Sequence, residues 1–326
     1  MIKSVYDLIK PYNNDKLTEF SNKDLYEFIS TLKKYYLDLR ESLNIADNIT
    51  FGIEIEVENL KDEFYVLEKD KYFSNWSFSS DDTLLNGREI ISPILKDNYF
   101  TWQTLANLMK FLGDCSEICS TCGGHIHIGA QILGNNYNYW ENLLNFWRAY
   151  ENIIFRFGYG EFISERLVIS GFAEPLIYSD YKVFNKKYRN QALNWSKICD
   201  QEDFKDYEYI KNRTFEVRCP NGSLNPIIWQ NNINFFVKLF EYVKSNNYEE
   251  KFLLKKIECL KSNLKVYDNV LDYYRMIDME NAIELSDLIF DNNLDKIYFL
   301  RQYIKNEEVG EKTLEKGKKF TNWTNY

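Results

Sequence analysis

The chain has 326 residues, with 40 basic against 49 acidic side chains, a net charge of −9, and 45% hydrophobic content. That supplies a sizeable core for about two domains, or for one large domain with helical additions. The acidic excess disfavours sequence-independent binding to nucleic acid or to an anionic membrane.

Residues 1–20 include Lys3, Asp7, Lys10, Asp15 and Lys16, where a signal peptide would run apolar. No run of about 18 apolar residues reads as a membrane span. Six cysteines over this length do not make a disulfide scaffold, so a reducing, cytoplasmic setting is expected. Residues 24–43 put Leu25, Phe28, Ile29, Leu32, Tyr35, Tyr36 and Leu39 at helical spacing. The expected organisation is a helical extension over 1–48, a main domain over 49–245 and a helical region over 246–326.

Residues 51–57 alternate strictly, with Ile53, Ile55 and Val57 on one face and Glu54, Glu56 and, beyond them, Glu58 on the other. Glutamate is depleted in strands, and three like charges on one face repel unless water or a cation intervenes. A solvated strand face and a shared divalent cation both fit the pattern. Residues 64–79 read as two short aromatic strands. Asp81 and Asp82 follow, and Asn86-Gly87 between Thr83-Leu84-Leu85 and Arg88-Glu89-Ile90-Ile91 predicts a hairpin that puts Glu89 on its second strand. Residues 101–112 predict a helix capped by Gly113.

Both histidines of the chain lie in Cys122-Gly123-Gly124-His125-Ile126-His127-Ile128. On a strand they leave the same face, roughly 6.5–7 Å apart. Two imidazoles so placed suit a metal, phosphate or proton-transfer site, or simply a hydrogen-bonded polar face. The spacing of Trp140, Leu143, Leu144, Trp147, Glu151, Ile154 and Phe155 predicts one long helix packed in the core. Thr214-Phe215-Glu216-Val217-Arg218 alternates again, and Asn225-Pro226 supplies an N-cap and a first-turn proline for the next helix. From Tyr248 onward the chain reads as helices, ending in a polar tail over 312–326.

Four predicted strands thus carry unusual polar residues: Glu54, Glu56 and Glu58; Glu89; His125 and His127; and Glu216 with Arg218. On one antiparallel sheet they would line a single face. Oxygen-rich donors with one or two nitrogens suit Mg²⁺ or Mn²⁺ bound together with phosphates.

The ordered set Phe51-Gly52-Ile53-Glu54-Ile55-Glu56-Val57-Glu58, Asp81-Asp82-Thr83-Leu84, Gly87-Arg88-Glu89-Ile90-Ile91-Ser92-Pro93, Cys122-Gly123-Gly124-His125-Ile126-His127 and Thr214-Phe215-Glu216-Val217-Arg218 resembles the amidoligases. These are carboxylate–amine ligases with a glutamine synthetase-like fold. The motifs span residues 51–218, about half the chain. Two positions depart from the pattern: Asp82 stands where the family often has a small residue, and Thr83 where it commonly has serine.

The resemblance implies an α+β catalytic core over 49–245, built on a curved, mainly antiparallel sheet with helices on one face and ATP with Mg²⁺ (or Mn²⁺) on the other. It implies transfer of the γ-phosphoryl of ATP to a small-molecule or peptide carboxylate, giving an acyl phosphate that an amine converts to an amide. By the same resemblance Glu54, Glu56, Glu89, His127 and Glu216 hold metal, Arg218, Arg166 and His125 contact the nucleotide, and Arg218, Glu56 and Asp81 act in catalysis.

Two other readings stand beside it. One is a non-catalytic module of the same fold that binds a nucleotide or peptide. The other is an iron–sulfur or zinc enzyme using Cys115, Cys119 and Cys122, whose spacing matches that of radical enzymes; three small, partly buried thiols would give the same spacing.

Overall fold

The strict alternation of residues 51–57 becomes the centre of a sheet. The computed structural model describes residues 17, 27, 31, 37–159, 171–178, 190–198, 205–245, 247–268 and 270–305. Its strands are β1 (Phe51–Val57), β2 (Ser77–Ser79), β3 (Arg88–Ile91), β4 (Gly124–Gly129), β5 (Leu193–Asn194) and β6 (Thr214–Val217). They form one six-stranded sheet in the order β2-β3-β1-β4-β6-β5, antiparallel throughout. With ten α-helices among the described residues, the fold is mixed α+β. None of these helices is long and apolar enough to cross a membrane.

One sheet face is wholly apolar. Ile53, Ile55, Val57, Ile90, Ile126, Ile128, Phe215 and Val217 are at most 1% exposed, and each such side chain contributes about 1.5–3 kcal/mol on burial. Helices α1 (Phe64–Leu67), α2 (Tyr99–Cys115), α3 (Tyr137–Ala149), α4 (Glu151–Gly158), α5 (Tyr207–Ile210) and α6 (Pro226–Tyr242) occur along this part of the chain. Three of them cover the face: Trp102 of α2 stacks on Phe51 at 5.5 Å, while Phe215 meets Trp140 of α3 at 4.5 Å and Phe240 of α6 at 5.0 Å. A side chain at Gly124 would meet Trp229 of α6 at 2.6 Å, so this glycine of the histidine strand serves the core. As expected, Asn225 caps α6, its Oδ1 accepting from the backbone N–H of Ile227 and Ile228.

Helices α7 (Glu250–Leu264), α8 (Val270–Tyr274), α9 (Met279–Ile289) and α10 (Asn293–Lys305) follow. They share the same continuous hydrophobic core. Phe299 of α10, for example, lies 5.0 Å from Phe157 of α4 and 5.1 Å from Phe235 of α6.

Several local expectations change. Of the helix expected over 24–43, Glu27 and Thr31 are helical, residues 37–43 are irregular, and the rest lies outside the described residues, as does the tail over 312–326. Near 43 the backbone N–H groups of Leu43 and Ile45 bind the Asp97 carboxylate, so the chain satisfies them without a helix. Residues 64–67 form α1, and β2 is the one strand found between 64 and 79. Residues 83–85 are turn rather than strand: the N–H of Thr83 binds Asp81 and that of Leu85 binds Glu58, so neither is left for a ladder. The hairpin partner of β3 is therefore β2, across a longer loop in which Asn86 takes φ 48°. Helix α2 runs through Gly113 to Cys115 instead of stopping there, and the single long helix expected after Trp140 breaks at Tyr150 into α3 and α4.

Candidate functional site

The opposite sheet face is polar, and the register makes neighbours of residues far apart in the chain. Glu54 pairs with His125, Glu56 with Glu89, and Glu216 with both His127 and Asn194. Directly opposed residues on one face sit about 4.5–5.5 Å apart at Cβ. Four strands thus deliver four acidic groups and two imidazoles to one place.

Glu54 is the hub. Its Oε2 lies 2.8 Å from Nδ1 of His125 and its Oε1 lies 2.7 Å from Nε2 of His127, whose Nδ1 is 3.1 Å from the Thr214 hydroxyl. Burial alone would raise the Glu54 carboxyl, but the hydrogen bonds and charge of the two imidazoles overcome it and hold the group well below the usual carboxylate range. With Nδ1 of His125 engaged by Glu54, its Nε2 is buried without a hydrogen-bond partner and lies 3.8 Å from Oε1 of Glu56. The Gly123 N–H donates to the other Glu56 oxygen at 2.6 Å. Glu216 accepts from Asn194 Nδ2 at 2.7 Å and pairs with Arg218, whose Nε donates to the Phe172 carbonyl at 2.9 Å.

Three sets of side chains bring ligand atoms within 4.8 Å of one another: Glu54, His127 and Glu216; Glu54, Glu89 and His125; Glu56, Asp81 and Glu89. The sets overlap at Glu54 and Glu89, so the acidic groups form a continuous row. Burial, followed by the charges of Glu54, Glu56 and Asp81, pushes Glu89 up to about 8. Unit charges of like sign 4 Å apart repel by about 4 kcal/mol at an effective dielectric constant near 20, so the row suits a cation. Asp81 reaches the row from a shaped loop. Its Oδ1 accepts from the backbone and hydroxyl of Thr83, both at 2.7 Å. Glu58, expected on the same face as Glu54 and Glu56, instead accepts from Leu85 N and the Thr121 hydroxyl and anchors that loop.

The structure thus brings together Glu54, Glu56, Glu89, His127 and Glu216, as expected, with Asp81 and Arg218 beside them. His125, expected to touch nucleotide, stands among the potential metal ligands because its ring points between Glu54 and Glu56. Arg166 lies outside the described residues. Sequence reasoning missed Asn194, which sits on a two-residue strand too short to leave a pattern. It also passed over Lys211 and Arg213, which line a cleft next to His127.

Among the described residues, no set of three ligating side chains includes a cysteine. Burial pushes the Cys115 thiol up to about 11, and a hydrogen bond with Cys119 together with burial holds Cys122 well above the usual thiol range.

Because the Glu89 carboxyl is raised above its ordinary value of 4.5, it favours the folded state below that pH and loses this contribution as pH rises toward 8. Without divalent cations, thermal melts should show stability falling between about pH 4.5 and 8, with Glu151 contributing in the same direction. Glu89→Gln should reduce the slope, and saturating Mn²⁺ should do the same by displacing the proton. An unchanged slope in Glu89→Gln would show that Glu89 is not the group responsible.

Fold and site together define a mixed α+β protein with an acidic, imidazole-containing candidate metal centre on the open face of an antiparallel sheet. No family model matches the chain, and no curated protein is significantly similar to it.

Proposed function

We propose that the protein is an ATP-dependent carboxylate–amine ligase of the amidoligase kind, and that its sheet is the curved sheet of a glutamine synthetase-like core. The observation that carries this reading is the row of three overlapping ligand sets ending beside Arg218. Each set offers mostly carboxylate oxygens and at most one imidazole, a donor chemistry that fits Mg²⁺ or Mn²⁺ better than structural zinc. The buried, unpartnered Nε2 of His125 supports the same fit.

On this reading Glu54, Glu56, Asp81, Glu89, His125, His127 and Glu216 hold the cations. Bound Mg²⁺–ATP would supply the phosphoryl group and the positive charge that balances its transfer. The imidazoles of His125 and His127 keep Glu54 ionised and fixed. Glu216 and the Phe172 carbonyl orient the Arg218 guanidinium, which meets negative charge developing on the transferred group. The reacting carboxylate would be activated as an acyl phosphate, and an amine would then close the amide.

The test is incubation with ATP, Mg²⁺ and paired acids and amines, followed by nucleotide analysis and mass spectrometry. ADP and phosphate in step with an amide product are expected. AMP with pyrophosphate would overturn the acyl-phosphate route, and absence of Mg²⁺-dependent nucleotide turnover with every pair would favour a binding module.

A further inference from the structure

Cys119-Ser120-Thr121-Cys122 is a C-x-x-C sequence just ahead of the histidine strand. The backbone folds it into one turn, closed by the bond from Cys122 N to Cys119 O at 3.0 Å. Such a turn brings its first and fourth Cα atoms within about 7 Å, and a disulfide spans about 4.4–6.8 Å between Cα atoms. The side chains already meet. The two thiols hydrogen-bond each other, and the Cys119 N–H donates to Cys122 Sγ at 3.3 Å. Both cysteines are free; Cys122 is buried and Cys119 half-buried, so a reagent in solution reaches Cys119 first and Cys122 stands behind it. A helix N-terminus behind such a pair activates a thiolate for exchange with other proteins. This turn leads through Gly123 into strand β4 instead. The pair is placed to be oxidised rather than to oxidise a partner.

The two ends of the turn are held differently. Cys122 O accepts from Gly222 N at 3.0 Å, and a side chain at Gly222 would meet Cys122 Cβ at 3.2 Å. Gly123 is fixed through both backbone groups, its O accepting from Glu56 N at 3.2 Å and its N–H donating to the Glu56 carboxylate. The other end is looser: Ser120 is half-buried and Thr121 exposed, and Asn59 Nδ2 reaches Cys119 Sγ at 3.5 Å. A disulfide draws the sulfurs to about 2.05 Å, and the shift this requires falls on residues 119–121. Thr121 carries the consequence. Its hydroxyl donates to Glu58 Oε1 at 2.8 Å, and the same oxygen accepts from Leu85 N, in the loop that holds Asp81, at 2.9 Å.

We propose that Cys119 and Cys122 form a reversible disulfide and that oxidation slackens the Asp81 end of the acidic row. The oxidant is a low-molecular-weight disulfide. The Cys119 thiolate, its proton passed to water, attacks one sulfur of the reagent and expels a first thiolate, which takes up a proton. Cys122 then attacks Cys119 Sγ in that mixed disulfide, and its own proton leaves with the second reagent thiol. The protein loses two electrons and two protons, and the reagent becomes two thiols. In the reduced form the contacts from Thr121 through Glu58 to Leu85 support the Asp81 loop; oxidation removes that support. The disulfide stands without the ligase reading, and only its effect on cation binding depends on it.

The test incubates the full chain across a series of reduced-to-oxidised glutathione ratios, quenches by alkylation and maps the thiols by mass spectrometry. A Cys119–Cys122 disulfide is expected, and reductant should restore both thiols. Amide exchange read by NMR should be about tenfold or more faster at Leu85 in the oxidised form and unchanged at Gly123. Cys119→Ser should remove the redox dependence. Thr121→Val should give the fast Leu85 exchange in the reduced protein, and it carries the test if Cys119→Ser does not fold. Mn²⁺ affinity should fall about tenfold on oxidation. The disulfide is overturned if both thiols stay alkylatable when the exposed Cys259 is already oxidised. Unchanged Leu85 exchange, or equal Mn²⁺ affinity in the two forms, overturns the link to the acidic row. If Mn²⁺ binds neither form while the disulfide and its effect at Leu85 persist, the ligase reading falls and the redox pair stands.

Discussion

On the proposed ligase reading, Glu54→Gln is expected to lower Mn²⁺ affinity by about a hundredfold or more and to abolish Mg²⁺-dependent ADP formation. The carboxylate belongs to two of the three overlapping ligand sets and accepts from both imidazoles. An amide of the same size keeps one acceptor oxygen but no charge, so it cannot serve two neighbouring cations at once. Removing one preorganised electrostatic partner commonly costs on the order of 10²–10³ in rate, and a group shared between two sites should reach the upper end. The same change should bring Glu89 down from about 8, because Glu54 is the largest charge acting on it after burial. Calorimetry with Mn²⁺ reads the first effect, and carboxyl carbon chemical shifts across a pH series read the second. Wild-type Mn²⁺ affinity in Glu54→Gln would mean that neither set containing this residue is a metal centre.

The site is largely legible from the sequence because a strand has a period of two. Once Glu54 and Glu56 alternate with Ile53 and Ile55, and His125 and His127 with Ile126 and Ile128, the faces are fixed by which side chains can be buried. Pairing those strands in antiparallel register then needs no further information to juxtapose the polar residues. The same rule misleads at Glu58. It continues the alternation in sequence, but β1 has ended at Val57, and the carboxylate turns to anchor the loop that carries Asp81. Alternation says which face a residue takes, not where the strand stops.

Loops and short strands are less legible for a related reason. The residues 83–85 look like a strand by composition, yet the Asp81 and Glu58 carboxylates capture their N–H groups. Such capture depends on residues up to 27 positions away. Asn194 and Arg213 gave no signal at all: one sits on a two-residue strand, and the other is distinguished by what fails to pair with it in space. The break at Tyr150 was hidden because helical spacing of apolar residues persists across it. What the spacing could not show is why the chain turns there.

That turn places Glu151, and its loss should produce the largest change in stability outside the site. The side chain is 0% exposed. One oxygen accepts from Trp147 Nε1 at 3.1 Å and Leu176 N at 2.6 Å, and the other from Ile177 N at 2.9 Å and the Tyr274 hydroxyl at 2.9 Å. Glu151→Ala leaves four buried donors without an acceptor and should cost about 3–5 kcal/mol, lowering the melting temperature on the order of 10 °C. Glu151→Gln should cost about 1–3 kcal/mol, since whichever way the amide turns it sets an N–H against a donating backbone N–H. Burial pushes Glu151 up to about 7, so the wild type holds its proton-linked advantage below 4.5 and loses it as pH rises toward 7. The gap between wild type and Glu151→Gln should therefore be wider at pH 5 than at pH 8. The effect should also reach the site. Leu176 and Ile177 belong to the segment whose Phe172 carbonyl holds Arg218, and whose Glu174 backbone bonds Ala192, which in turn accepts from Arg218 N. On the ligase reading, Glu151→Gln should therefore reduce nucleotide-dependent turnover at a temperature where it remains folded, while Mn²⁺ binding at the proposed Glu54 site stays intact. If melting and turnover both match the wild type, Glu151 anchors neither the segment nor the arginine.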